Sequence, residues 1–529
     1  MTNSIPEFET DTNCFLIMGS NTSEGHPLIA SRIMKAKESR GARIIVIDPR
    51  DTQMGRIADL YLPFRPGTDV AVLNGLMNVI ISEGLEDREF IATRTENYDE
   101  FKAVVEQFTP ERVEEISGIP ADKLRQAARL YATHRPSAIV YAMGITQHTT
   151  GTDNVKSCAN LAMLTGNLGI PGGGVNPLRG QNNVQGACDM GGLPNVYPGY
   201  QAVTSPDVQQ KFRDAWGSTS DLEVGLTVTE MVNAVGDGRV QALFVMGENP
   251  MVADPDIHHA RHCLEQAGFL VVQDIFLSET AAMAHVVLPG AAFAEKDGTF
   301  TATDRRVQRG RKAVEPPGEA RADWEILCDL ARKMGARGFD FTSPQEIMEE
   351  IARLTPSYGG IRYERLEELG FLQWPCPTPD HPGTPYLHKG KFSRGLGHFH
   401  AVDFKEAAEL PDDEYPFTLT TGRIMFHFHT GTMTRRSEKL HQEVPEAYVE
   451  MHPDDAARIG LNGGRRVRVS SRRGQIELGV RVTRRIKPGI VFIPFHFVEA
   501  AANALTHAAV DPIAKIPEYK VCAVKVEPV

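Results

Sequence analysis

Between residues 14 and 82 the chain alternates twice between a short apolar run and an amphipathic segment, and this restricts the fold more than any other feature. CFLIMG (14–19) is long enough for a strand buried on both faces. NTSEGHP reads as a turn. LIASRIMKAKES then carries Leu28, Ile29, Ile33 and Met34 at helical spacing, and Gly41 ends that helix. ARIIVIDPR (42–50) is the next buried strand, stopped at Pro49, and RIADLYLPF (56–64) reads as a third. RPGTD turns the chain into the helix VAVLNGLMNVIISEG, and SAIVYAMGI (137–145) repeats the strand pattern. Strand, helix and strand at this spacing predict a parallel α/β sheet.

Such sheets bind ligands beyond the carboxyl ends of their strands. The residues there are Asn21 to Glu24, Asp48 to Arg50, Gly67 to Asp69 and Met143 to Gln147. Asp48 stands where a dinucleotide fold sets an acid on a ribose hydroxyl, or else it caps a loop. The first loop, GSNTSEG, lacks the GxGxxG cradle, which counts against a nicotinamide or flavin dinucleotide. QALFVMGENP (241–250), GFLVVQDIFLSET (268–280) and AHVVLPG (284–290) read as a second α/β unit with Glu248, Asn249, Gln273, Asp274 and Thr280 at its loop ends. Two such units suggest two similar ligands, or one ligand with two similar halves.

Composition narrows the function classes. The 529 residues are 41% hydrophobic and 23% charged, as in a globular chain long enough for three or four domains. The net charge of −12 argues against a nucleic-acid partner. No apolar run reaches the roughly 18 residues that a membrane span needs. The opening TNSIPEFETDTN has no charged-then-apolar leader. Seven scattered cysteines, none at CxxC spacing, fit reduced thiols in the cytoplasm and no internal iron–sulfur site.

The run RGQNNVQGACDMGG (179–192) sets Arg179, Gln181, Asn182, Asn183 and Gln185 between glycines. It is either a solvated loop or a set of donors facing a large polar ligand. Farther on, EKDGTFTATDRRVQRGRKAVEPPGEARADWEI (295–326) reads as a hairpin, then a helix from Asp323. Residues 373–412 read as a Pro-, Gly- and His-rich linker. The last 115 or so residues alternate in β fashion, as at Val467 and Val469, Ile476 and Leu478, and Val480 and Val482, with NGG and RRG as turns and a short helix at PDDAARIG. They predict a small closed barrel. At its start LTTGRIMFHFHTGTMTRR (419–436) brings Arg423, His427 and His429 together, with Arg435 and Arg436 beyond. A metal site, a solvated basic loop and an anion pocket all compete here. The pocket is favoured because arginine grips a carboxylate with two parallel N–H bonds and histidine relays protons near neutrality.

Taken together, GRIMFHFHTGTMTRR, NPLRGQNNVQGACDMGGLPNVYPGY, VMGENP, VVQDIFLSETAAMAHVVLPG and AKIPEYKVCAVKVEP resemble the catalytic subunit of molybdenum- or tungsten-dependent formate dehydrogenases, of the molybdopterin oxidoreductase superfamily. The resemblance runs from Met1 to Val529. It implies an α/β fold of Rossmann-like parallel-sheet units with a C-terminal six-stranded double-psi-type β-barrel. It divides the chain into a first dinucleotide-binding domain (1–180), a partial second one (181–293), a remainder and linker (294–385) and a molybdopterin-dinucleotide-binding barrel (386–529).

The implied cofactor is a bis-molybdopterin guanine dinucleotide with molybdenum or tungsten. Position by position, Asn21, Glu24, Asp48, Arg50, Gly67 and Asp69 correspond to contacts of one dinucleotide. Asn249, Gln273, Asp274, Thr280 and Asp323 correspond to contacts of the other. Met143, Gln147, Gly180 and Gln181 fall near the pterin and metal, and His427, His429, Asn503, Tyr519 and Lys520 on the barrel side. Arg423 matches an arginine near the pterin, Arg179 the active-site arginine that pairs with formate, and His427 is carried as the second catalytic residue. Glu24, Asn249 and Ala253 depart from residues found in relatives.

The resemblance also implies a preceding segment with a [4Fe–4S] cluster and a selenocysteine or cysteine followed by histidine, the metal ligand and its proton carrier. Neither lies in these 529 residues, and Met1 aligns shortly after that pair, so the chain alone is expected to be inactive, with some apolar surface of the second unit exposed. A selenocysteine codon taken as a stop would produce this start; a truncated gene would look the same. The implied partners are formate and carbon dioxide, together with iron–sulfur or flavin electron-transfer subunits or a hydrogenase. Nitrate reduction, a non-catalytic cofactor-binding module and a nicotinamide dehydrogenase are the competing readings.

Overall fold

The computed structural model describes residues 1–217, 222–461 and 466–529. The chain forms two compact units. One comprises residues 1–178, 255–258 and 386–529, and the other residues 179–254 and 259–385. No helix among the described residues is long and apolar enough to cross a membrane.

The first unit contains β1 (Cys14–Met18), α1 (Pro27–Arg40), β2 (Arg43–Ile47), β3 (Leu60–Leu62), α2 (Asp69–Ser82), β4 (Ser137–Tyr141), α3 (Gly151–Leu164) and β5 (Val175–Pro177). The strands form one parallel sheet in the order β3-β2-β1-β4-β5. Every residue of β1 and β4 is buried, because helices cover both faces. Strand order reverses at β1 and β4, so the crevice a ligand would use opens at their carboxyl ends.

Three local expectations change. Arg56 and Ile57 end a short helix, Gln53–Ile57, capped by Thr52 Oγ1, which accepts from Gly55 N at 3.2 Å; the strand starts only at Leu60. The strand read as 137–145 stops at Tyr141, and Met143–Thr146 is a helical turn. The supposed linker is partly structure: Gly397 and His398 pair in parallel with Thr95 and Glu96, and Phe399 is fully buried, stacked on Phe101. Asn74 and Asn160 donate to the carbonyls of Val402 and His400 at 2.8 and 2.7 Å.

The second unit holds α4 (Val184–Asp189) and a parallel sheet of β6 (Ala242–Met246), β7 (Phe269–Asp274) and β8 (Val286–Pro289), with β7 central. On one face of this sheet Phe244, Met246, Phe269 and Val286 are exposed. A hairpin of β9 (Gly298–Thr301) and β10 (Arg306–Gly310) follows, then α5 (Asp323–Lys333), and β11 (Phe371–Gln373) pairs with β10.

Back in the first unit, β12 (Phe417–Gly422), β13 (Tyr448–Met451), α6 (Pro453–Arg458), β14 (Arg466–Ser470), β15 (Gln475–Val482), β16 (Ile490–Pro494) and β17 (Cys522–Pro528) form a closed barrel in the order β12-β16-β13-β15-β14-β17. It mixes parallel pairs, such as β12 with β16, and antiparallel ones, such as β14 with β15. Val467, Val469, Leu478, Val491 and Val524 fill it. The RRG turn joins β14 to β15; the NGG turn (462–464) lies outside the described residues.

Candidate functional site

At the strand reversal, the loops after β1 and β4 touch backbone to backbone. Gly144 N donates to Gly19 O at 3.0 Å, and a Cβ on Gly19 would stand 2.6 Å from Gly144 C. Gly19 also has φ +57°, so glycine is required twice over. The loop GSNTSEG does not cradle with bare glycines; Thr22–Gly25 is a helical turn.

The polar groups around this crevice are incompletely satisfied by the protein. Asn21 Nδ2 and both carboxylate oxygens of Asp69 are buried without a hydrogen-bond partner. Asp69 sits at the start of α2, and burial pushes its carboxyl up to about 6 against the opposing pull of His148, whose Nε2 lies 3.7 Å away. Asp48, after β2, is also raised to about 6 by burial, opposed by Arg50 N and the charges of Arg50 and Lys520. A native protein leaves few buried polar atoms unpaired, and a cluster of them marks the place of an absent polar partner.

Glu24 lies 3.5 Å from Arg485. Arg50 is paired with Glu450: its Nε and Nη2 donate to the two carboxylate oxygens, each at 2.7 Å, and the guanidinium lies 4.0 Å above Phe492. Gly67, with φ +85°, packs against Val521 and Ala407. Met143 and Gln147 bracket the helical turn after β4.

The barrel supplies a cationic wall. Burial brings the Lys520 ammonium down to about 7, with Arg423 adding and Asp48 opposing, and its Nζ donates to Thr421 O at 2.7 Å. Thr421 in turn donates to the carbonyl of Tyr519. Burial lowers Arg423 to about 10, and lowers His429 to about 4 with the charge of Arg423 adding. Asn503 is buried in the helical turn Ala502–Ala504.

The loop that carries Arg423, His427 and His429 is pinned by His496, a residue the sequence reading missed. Its Nε2 accepts from Ile424 N at 3.1 Å and its Nδ1 donates to His429 O. Burial lowers its pKa to about 3, which preserves the neutral ring this double role needs. His427 is also hydrogen-bonded within the chain. Its Nε2 donates to Val444 O at 2.7 Å, and its Nδ1 faces Thr434 Oγ1 at 3.3 Å.

A second buried network lies beside Asp69. His148 Nδ1 stands 3.5 Å from Glu518, which also receives Thr149 N at 3.2 Å and faces His507 Nε2 at 3.4 Å. Neither His148 nor Glu518 was singled out from sequence, because no periodicity links residues so far apart.

The second unit repeats the arrangement at its own strand ends. Asn249 Oδ1 accepts from Thr280 N and Oγ1 at 3.2 and 2.8 Å, and its Nδ2 donates to Glu279 at 2.7 Å. Gln273 Nε2 donates to Asp323 at 2.7 Å, Lys296 closes on the same carboxylate, and Gln273 Oε1 is buried without a hydrogen-bond partner. Asp274 ends β7 and its carbonyl accepts from Gly290 N. Arg179, Gly180 and Gln181 open the loop before α4. Arg179 N donates to Thr303 Oγ1 at 3.1 Å and its Nε faces Gln185 Oε1 at 3.4 Å.

Comparisons with known proteins bear on this site. The family model "Molybdopterin oxidoreductase" matches residues 1–333, and "Molydopterin dinucleotide binding domain" matches residues 417–523. The chain is 55% identical, over its whole length and 78% of the relative's, to F420-dependent formate dehydrogenase 1 subunit alpha of Methanococcus maripaludis. It is 42% identical to formate dehydrogenase H of Escherichia coli, over 100% of this chain and 74% of that one. Among solved structures, acetylene hydratase from Pelobacter acetylenicus superposes with a TM-score of 0.79 at 20% identity, over 100% of this chain and 81% of that one.

Proposed function

Since the chain belongs to the molybdopterin oxidoreductase family, we propose that it is the catalytic subunit of a formate dehydrogenase, interconverting formate and carbon dioxide at a bis-molybdopterin guanine dinucleotide carrying molybdenum or tungsten. The observation that carries this reading is the 55% identity, along the whole chain, to a subunit named for that reaction. The 20% likeness to acetylene hydratase speaks for the fold alone.

The residues present fit a long, polar, anionic cofactor. Asn21 and Asp69 in one unit and Gln273 in the other hold buried polar atoms with no hydrogen-bond partner, and Lys520 holds a buried amine whose pKa burial brings down to about 7. Asn21, Glu24, Asp48, Arg50, Gly67 and Asp69 would hold one dinucleotide, and Asn249, Gln273, Asp274, Thr280 and Asp323 the other. Met143, Gln147, Gly180, Gln181, Arg423, His429, Asn503, Tyr519 and Lys520 would face the pterins. When bound, the cofactor supplies the two-electron sink that formate oxidation requires.

The chain's own contribution is to bind and orient. Arg179 grips the formate carboxylate through two parallel N–H bonds, which fixes the direction of the C–H bond. Formate is an anion and carbon dioxide is neutral, so the same arginine that holds the substrate releases the product. His427 and His496 keep the Arg423 loop in one conformation. Electrons then pass to partner subunits. F420 is named for the relatives above 50% identity and is the acceptor to try first.

The test is an anaerobic assay of the complex purified from its own cells. Formate-dependent reduction of F420 or a viologen dye is expected. Nitrate-dependent oxidation of reduced viologen without formate turnover would overturn the reading.

A further inference from the structure

Gln185 and Asp189 stand four residues apart on α4, on one face of the helix. Asp189 is fully buried and accepts three hydrogen bonds. Its Oδ1 takes Gln185 Nε2 and the Tyr200 hydroxyl, each at 2.8 Å, and its Oδ2 takes the Tyr358 hydroxyl at 2.5 Å. The Tyr200 oxygen also lies within hydrogen-bond distance of Gln185 Nε2, at 3.0 Å. Tyr200 reaches this place with φ +58°, a backbone conformation a tyrosine adopts only when its surroundings hold it there.

The amide nitrogen of Gln185 is thereby turned towards Asp189 and Tyr200, and its oxygen faces Arg179 Nε at 3.4 Å. Turning the amide over would set N–H against N–H at the guanidinium and a carbonyl against the Asp189 carboxylate, so only one orientation survives. The arrangement has a second virtue. A carboxylate placed directly on Arg179 would compete with an anionic substrate; an amide oxygen orients the guanidinium without adding a negative charge beside it. The network is tied to the β9–β10 hairpin as well: Arg179 N donates to Thr303 Oγ1, Thr301 N donates to Asn183 Oδ1, and Thr301 Oγ1 lies 3.2 Å from the Tyr358 hydroxyl.

We propose that Gln185 and Asp189 are positioning residues that aim Arg179 at a carboxylate substrate, with Tyr200 and Tyr358 locking Asp189 in place. The proposal rests on the reading of Arg179 as the formate-binding arginine.

The test uses the holoenzyme complex and two readouts. One is the split between KM and kcat for formate. The other is the calorimetric dissociation constant of acetate, a carboxylate without the transferable hydrogen. Gln185→Leu is expected to raise the formate KM and the acetate dissociation constant together, by about tenfold, with a smaller change in kcat. Tyr200→Phe should act in the same direction, more weakly. In an Arg179→Lys background, Gln185→Leu should add nothing, because its effect passes through Arg179. Additive losses would mean that Gln185 is merely structural, and unchanged acetate affinity in folded Gln185→Leu and Tyr200→Phe would likewise overturn the proposal. Asp189→Asn should match Gln185→Leu; if that buried change prevents folding, the other two variants decide. If Arg179→Lys itself leaves formate and acetate binding unchanged, the reading of Arg179 fails first, and that outcome is distinct from a failure of the relay.

Discussion

Gly19 and Gly144, 125 positions apart, meet so closely that neither can carry a side chain: a Cβ on Gly144 would stand 2.5 Å from Gly19 Cα. Both loops form the crevice at the strand reversal. Gly144→Ala should force them apart at a cost of about 3 kcal/mol, the upper end for overpacking. The expected result is a lower thermal midpoint and a larger proportional fall in bound metal and pterin; wild-type cofactor content would show that the crevice is not the cofactor's seat.

Asp69 makes the opposite prediction for stability. Its ionised carboxylate is buried without hydrogen bonds and its pKa is raised to about 6. Asp69→Asn should therefore raise the melting temperature of the cofactor-free chain at pH 8, while lowering cofactor retention. A fall in both would mean that Asp69 is paid back by the protein itself and not by a ligand.

The pair Arg50 and Glu450 joins the first sheet to the barrel through two buried hydrogen bonds. Glu450→Ala strands a buried guanidinium and should cost about 3 to 5 kcal/mol. Replacing both, Arg50→Met with Glu450→Leu, should recover most of that loss in a thermal melt. A double variant as weak as the single one would show that the pair contributes more than its own neutralisation.

The network around His148 gives a pH signature. Burial alone would disfavour the charged His148 ring, but Glu518 and Asp69 outweigh it and raise its pKa. That stability is fully present below the unfolded histidine value of about 6.5 and is lost as pH rises through the raised folded value. Burial would raise Glu518, but its hydrogen bonds to His148 and His507 outweigh that and lower it to about 2. Its contribution is present above the unfolded value of about 4.3 and fades as pH falls towards 2. His148→Gln should flatten the alkaline limb of melting temperature against pH; an unchanged limb would place the loss elsewhere.

The parts of this fold legible in the sequence are those where burial imposes a period. Strands covered on both faces, such as CFLIM and SAIVY, read as unbroken apolar runs, and β14 alternates buried Val467 and Val469 with less buried neighbours. What escaped is held by single contacts. The strap at Phe399 has one large buried ring and borrows its remaining bonds from Asn74 and Asn160, so it looked like a linker. The hydroxyl of Tyr358 reaches Asp189 across 169 positions, and no spacing rule reports such a bond. His427 was legible as a histidine among arginines, but its bonds to Val444 and Thr434 were not.

The bond between Arg50 and Glu450 also carries a schedule. The two residues lie 400 positions apart, and at about 5 to 20 residues per second a ribosome needs roughly 20 to 80 seconds to pass from one to the other. Once β5 has been made, at Pro177, the first sheet exists without the barrel that closes it until β13 follows, and its carboxyl edge, with Asp48, Arg50 and Asp69, faces water. The nascent chain therefore passes through a stage in which the loops at the sheet's carboxyl edge are open on one side, and only the arrival of β13 shuts them.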